Sequence, residues 1–134
     1  MQQDLGGFGE WLGLSVTDAS GDRVVLSWKV RPELWQPYGI VHGGVHCAAV
    51  ETAASIAAGL WLGDRGTVVG VSNHTDFLRA VHEGELRAVA TPIHRGRLQQ
   101  LWLVEIDDEQ QRLVARGQVR LQNLERDRFE SESR

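Results

Sequence analysis

From Val45 to Leu62 the chain reads VHCAAVETAASIAAGLWL, and together with Gly44 eight of these positions are alanine or glycine. The run is long enough for about five helical turns. It is apolar nearly all round, which predicts a helix enclosed by the rest of the fold. A membrane span is set aside because His46, Glu51, Thr52 and Ser55 interrupt it. After this helix come four strand-like stretches, Thr67 to Leu78, Leu86 to His94, Leu98 to Ile106 and Arg112 to Asn123, with turn segments such as HEGE and DDEQQ between them. Two shorter ones precede it, Leu14 to Ala19 and Val24 to Val30, split by the turn Ser20 to Asp22. Phe8, Trp11 and Leu12 have the spacing of a short amphipathic helix. One long helix among strands that follow one another without helices predicts an α+β fold, an antiparallel sheet curled around the helix. The spare sheet face and edge are expected to be closed by association of copies.

The length of 134 residues suits a single domain, drawn here over residues 1–124, with a polar tail over 125–134. A net charge of −4 disfavours non-specific nucleic-acid binding. The single cysteine, Cys47, excludes an intrachain disulfide and a cysteine-based zinc site within one chain. The segment MQQDLGGFGEWLG lacks the basic-then-apolar order of a secretory signal, so a cytoplasmic protein with no membrane association is expected. Thirteen of the 14 basic residues are arginine. Genomic base composition accounts for that, and the planar forks also suit phosphate.

Glu51 is the one acidic residue of the apolar helix. A carboxylate there costs several kcal/mol unless it is solvated or hydrogen-bonded. Cys47, Glu51 and Ser55 share a face at spacings of four, and that face is narrow and weakly polar. A merely solubilising stripe would carry more charge, so Glu51 reads as functional. The loop Glu33 to Gly44, ELWQPYGIVHGG, delivers His42, Gly43 and Gly44 to the start of the helix. Free N–H groups and the positive end of the helix dipole meet there, suited to a developing oxyanion. A carboxylate nine residues past His42 makes the combination a minimal acyl-transfer site.

Other chemistries fit less well. His42 and His46 have helical metal-pair spacing, but no HExxH pattern occurs and Glu51 is out of register, so no metal site is expected. GxSxG and the glycine-rich nucleotide fingerprints are absent, and Cys47 sits in an apolar helix. His74, in Asn73-His74-Thr75, reads as a satisfied core histidine or a supporting group. Arg79, Arg95 and Arg97 fall near strand ends, where a phosphorylated ligand would use them.

The segments WQPYGIVHGGVHCAAVETAAS, VVGVSNHTDFLRAVHEGELRA, and PIHRG followed by LWLVEIDDEQQRLVARGQVRL resemble the hotdog-fold acyl-CoA thioesterases over Leu34 to Leu121. The nearest group is the PaaI-like one containing the 4-hydroxybenzoyl-CoA and 1,4-dihydroxy-2-naphthoyl-CoA enzymes. The resemblance implies a five- or six-stranded sheet around one helix. It also implies dimers, often paired into tetramers, with the site between subunits. It gives Glu51 as nucleophile or general base and Gly43 as the N–H that polarises the carbonyl. His42 and Gln36 match positions that orient the thioester or water, Ser55 one whose hydroxyl assists hydrolysis, and Arg79 one that contacts coenzyme A phosphate. Relatives commonly place a serine after His-Arg-Gly, where this chain has Arg97 and Leu98. Arg126 and Arg128 lie near a phosphate-binding arginine of relatives. No cofactor is implied beyond the coenzyme A of the substrate, and an aromatic acyl group is favoured. A hotdog hydratase and a non-catalytic acyl-CoA sensor are the rival readings; neither would release thiol.

Overall fold

Alternation in four strands builds one wall of the core. The structure, a computed structural model, describes residues 3–126. Helix α1 (Gly6–Leu12) leads into β1 (Ser15–Ala19) and β2 (Val24–Lys29). A 3-10 turn (Pro32–Leu34) precedes the long helix α2 (Gly43–Leu62). Then come β3 (Gly66–Phe77), β4 (Glu85–Arg95), β5 (Gln99–Asp107) and β6 (Leu113–Glu125). Val24, Leu26 and Trp28 of β2, Leu86, Ala88 and Ala90 of β4, Trp102, Val104 and Ile106 of β5, and Ala115, Val119 and Leu121 of β6 are all buried. Period-two burial of this kind puts every second side chain on one sheet face.

The six strands form one antiparallel sheet in the order β1-β2-β4-β5-β6-β3. Helix α2 carries the chain across the concave face, from β2 to β3 at the opposite edge. It lies on that face through Val45, Ala49, Val50, Ala53, Ala54, Ala57 and Ala58. Small side chains let sheet and helix approach closely. At Gly117 an added Cβ would sit 2.7 Å from a methyl of Val50. This is the α+β, antiparallel, single-helix architecture expected, the hotdog fold. Although α2 is long and apolar enough to cross a membrane, half of it is buried against the sheet.

Several expectations need correction. The helix is not enclosed on all sides: the sheet covers one face, while Cys47, Ala48, Thr52, Ser55 and Ile56 stay half-buried and Glu51 is exposed. One sheet cannot wrap a cylinder, so the apolar character of the far side is left for another surface. The amphipathic reading of α1 holds only for Leu12, since Phe8 and Trp11 are exposed. His74 is exposed, 3.4 Å from Asp76, because its neighbours Asn73 and Thr75 take the inward positions of β3. Strand β6 runs to Glu125, paired with Gly66, one residue beyond the expected end of the domain. Residues 127–134 of the expected tail, Arg128 included, lie outside those described.

Candidate active site

The start of α2 is fixed from both sides. In the preceding loop Trp35 and Val41 form a bridge around the turn Gln36 to Ile40, in which the Gln36 side chain accepts the Tyr38 N–H. Trp35 Nε1 donates to the His82 carbonyl at 3.0 Å and the Val41 N–H to the Val81 carbonyl at 2.8 Å. The loop is thereby docked on the segment after β3. His42 caps the helix with φ −63° and ψ 134°, and its Nδ1 accepts the Gly44 N–H at 2.7 Å. Nδ1 as acceptor assigns the ring proton to Nε2.

That bond changes the expectation for the two glycines. The Gly44 N–H is spent on His42 Nδ1 and the Val45 N–H on the His42 carbonyl. The Gly43 N–H has no acceptor among the described residues. Gly43 carries the unspent donor, and Gly44 does not offer a second one. The ring of Phe77 lies over Gly43, where an added Cβ would meet it at 2.6 Å. Phe77 also faces His46, with ring centroids 6.0 Å apart. His46 is 3 % exposed, and burial lowers its pKa to about 4, so it is neutral. Its Nδ1 has no partner among the described residues.

Glu51 lies two turns further on, its carboxylate 3.4 Å from where a Cβ on Gly70 would be. It lines a cavity of about 420 Å³ with Phe8, Cys47, Ala48, Thr52 and Asn73. Asn73 ties β3 to the helix: its Nδ2 donates to the Cys47 carbonyl at 3.0 Å, and its Oδ1 accepts from Thr75 Oγ1 at 2.7 Å. Ser55 is half-buried on the same stripe. Helix and strand therefore run past each other with Gly43 beside Phe77, Cys47 beside Asn73 and Glu51 beside Gly70.

Gly43 and Glu51 are too far apart to hold one carbonyl between them. Eight residues at 1.5 Å each separate them by about 12 Å along the helix axis. Their neighbours on β3, Phe77 and Gly70, are separated by roughly 23 Å of strand. The two features that the sequence joins into one site stand apart within one chain.

The arginines are dispersed. Arg79 is exposed just after β3, lining a surface cavity of about 760 Å³ with His82, Asp108 and Arg112. Arg95 donates to the Gly21 carbonyl and Asp22, each at 2.7 Å, and lies 5.8 Å from the Trp61 ring. It braces the far end of α2 against the first hairpin. Arg97 is exposed in the β4–β5 turn, beside a cavity of about 440 Å³. Arg126, the last described residue, donates its N–H to the Arg65 carbonyl. Sequence reasoning missed Asn73, Phe77 and Phe8. Period-two alternation around His74 was the available signal for Asn73; Phe8 and Phe77 carry none, since contact with α2 is a tertiary fact.

Residues 38–115 match the thioesterase superfamily. The chain belongs to that family. The thioesterase is 57 % identical to AziG of S. sahachiroi, whose crystal structure superposes with a TM-score of 0.90 over 92 % of this chain and 100 % of that one. Rv1847 of Mycobacterium tuberculosis is 54 % identical over 88 % of this chain and 86 % of its own. The proofreading thioesterase EntH of Cronobacter turicensis is 38 % identical over 77 % of this chain and 75 % of its own. With such relatives the protein is a thioester hydrolase with the hotdog fold.

Proposed function

We propose that this thioesterase hydrolyses an acyl-CoA, with Glu51 of one copy and the Gly43 N–H of another acting on the same thioester. The observation that carries this reading is Glu51 itself, the one charge on an otherwise uncharged open stripe of α2. The Gly43 N–H hydrogen-bonds the thioester oxygen and takes up the charge that develops there. Glu51 either attacks the carbonyl carbon, forming a mixed anhydride that water then opens, or takes a proton from the water that attacks. In both cases the C–S bond breaks, coenzyme A leaves as thiolate, and the acid is released. The thiolate is a good leaving group, so no strong general acid is required.

Pairing the open stripes of two α2 helices antiparallel would bring each Glu51 towards the other copy's helix start. The edge of β3 favours such pairing: twelve residues long, none fully buried, and bonded to β6 on one side only. The assembly is a dimer, and dimers pair into tetramers. Ser55 assists the attacking water, His42 and Gln36 hold the loop that presents Gly43, and Arg79, Arg97 and the remaining capacity of Arg95 take the phosphates of coenzyme A. The acyl group is aromatic, the substrate and the enzyme are cytoplasmic, and no further cofactor takes part.

Thiol release from benzoyl-, 4-hydroxybenzoyl-, 1,4-dihydroxy-2-naphthoyl-, phenylacetyl- and medium-chain acyl-CoA tests the reading. Wild type releases thiol from at least one, and Glu51→Gln lowers kcat by about 10³-fold or more. Absence of release from the whole panel, or an unimpaired Glu51→Gln, would overturn it.

A further inference from the structure

Helix α1 separates two clefts, and one side chain lines both. On one side lies the Glu51 cavity. On the other is a cavity of about 310 Å³, lined by Trp11, Leu12, Leu34, Trp35 and Val45 together with Glu33, His42 and Gly44. Phe8 lines each of them. We infer that Phe8 is the divider that sets which acyl groups this thioesterase accepts, with the Trp11–Trp35 cleft as the seat of a flat, bulky acyl group.

Three observations support this. The second cleft opens at His42 and Gly44, next to the unspent Gly43 N–H, so a carbonyl held there would point its acyl group into the cleft. Apart from Glu33 and His42 its lining residues are apolar or glycine, and they include two indoles, surfaces on which planar rings stack. An apolar cavity of about 150 Å³ is enough to take up benzene, so roughly twice that volume fits a fused bicyclic ring.

The divider is also firmly placed. Arg31 donates to the Leu12 carbonyl at 3.0 Å and to that of Trp11, and its guanidinium lies 4.9 Å from the Trp11 ring. Leu12 is buried, and Gly9 lets α1 close on Leu5, where a Cβ would come within 2.8 Å. Yet within one chain Phe8 leaves 66 % of its surface uncovered. A large aromatic held at the mouth of two clefts without packing of its own is a surface suited to an apolar ligand.

The inference rests on the function proposed above, and two readouts separate their failures. The first is the ratio of kcat/KM for 2-naphthoyl-CoA to that for hexanoyl-CoA. Phe8→Ala merges the clefts and raises the ratio about tenfold, while Phe8→Trp narrows them and lowers it about tenfold. The second is calorimetric binding of 2-naphthoate, which needs no turnover and which Phe8→Trp weakens. Hydrolysis that stays Glu51-dependent while neither readout responds to Phe8 overturns this inference and leaves the function standing. Loss of naphthoate affinity in a protein that releases no thiol overturns the function and keeps the cleft. Melting curves matching wild type confirm that the variants are folded, as the exposure of Phe8 predicts.

Discussion

Gly43 can be replaced by the one residue that lacks a backbone N–H yet suits the first turn of a helix. Proline is tolerated at that position because its missing donor would be unpaired anyway. His42, at ψ 134°, already has the extended conformation that a following proline requires. The Phe77 ring must give way, and since its surface is more than half exposed it has room to do so. Gly43→Pro is expected to keep the helical circular dichroism of wild type while kcat falls about 10²- to 10³-fold, the loss typical of one oxyanion donor. Undiminished kcat in the folded variant would remove Gly43 from the site. His46 yields a second prediction at this scale. Its folded pKa of about 4 lies below the ordinary histidine value of 6.5, so the unfolded chain binds more protons between those pH values. Stability is therefore complete above pH 6.5 and declines as pH falls towards 4, by up to about 3 kcal/mol from this residue. His46→Met should flatten that part of the curve in denaturant titrations at stepped pH. Parallel curves for the two proteins would contradict the assignment.

Among the elements, the sheet and the long helix were legible because their signals are local. A run of small apolar residues marks the helix, and apolar stretches with partial alternation in β2, β4, β5 and β6 mark the strands. Side-chain networks across strands were not. Gln100 is fully buried in β5: its Oε1 accepts from Trp102 Nε1 at 2.8 Å, and its Nε2 donates to Asn123 Oδ1 at 2.8 Å and the Ala58 carbonyl at 3.2 Å. Asn123 passes the connection to the Gly96 and Arg97 carbonyls in the β4–β5 turn. The sequence shows two polar residues on an inward face without showing that they answer each other. The same holds for Arg95: its place near a strand end is visible, its bond to the first hairpin is not. Gln100→Leu leaves Trp102 Nε1 and Asn123 Oδ1 without their partner and should cost about 2–4 kcal/mol in urea unfolding. A loss below about 0.5 kcal/mol would mean the network is not structurally required.

For the molecule as a whole, Glu51 and the helix start, the two halves of the proposed site, read from the sequence as one site within one element. The geometry of α2 separates them by about 12 Å, and the open stripe and free β3 edge supply the reason for a second copy. If each active site draws Glu51 from one chain and Gly43 from another, two different dead variants can repair each other. In a dimer of Glu51→Gln with Gly43→Pro, one site holds both lesions and the other holds neither. Random assortment makes half the dimers mixed, each with one intact site of two, so about a quarter of wild-type activity should return. The measurement is thiol release from the two variants co-refolded, against the same variants refolded separately and then combined at the assay. Recovery near a quarter in the co-refolded sample alone is the predicted result. Activity no higher than that of the separate variants, in samples shown by tagged pull-down to contain mixed dimers, would contradict a site shared between copies.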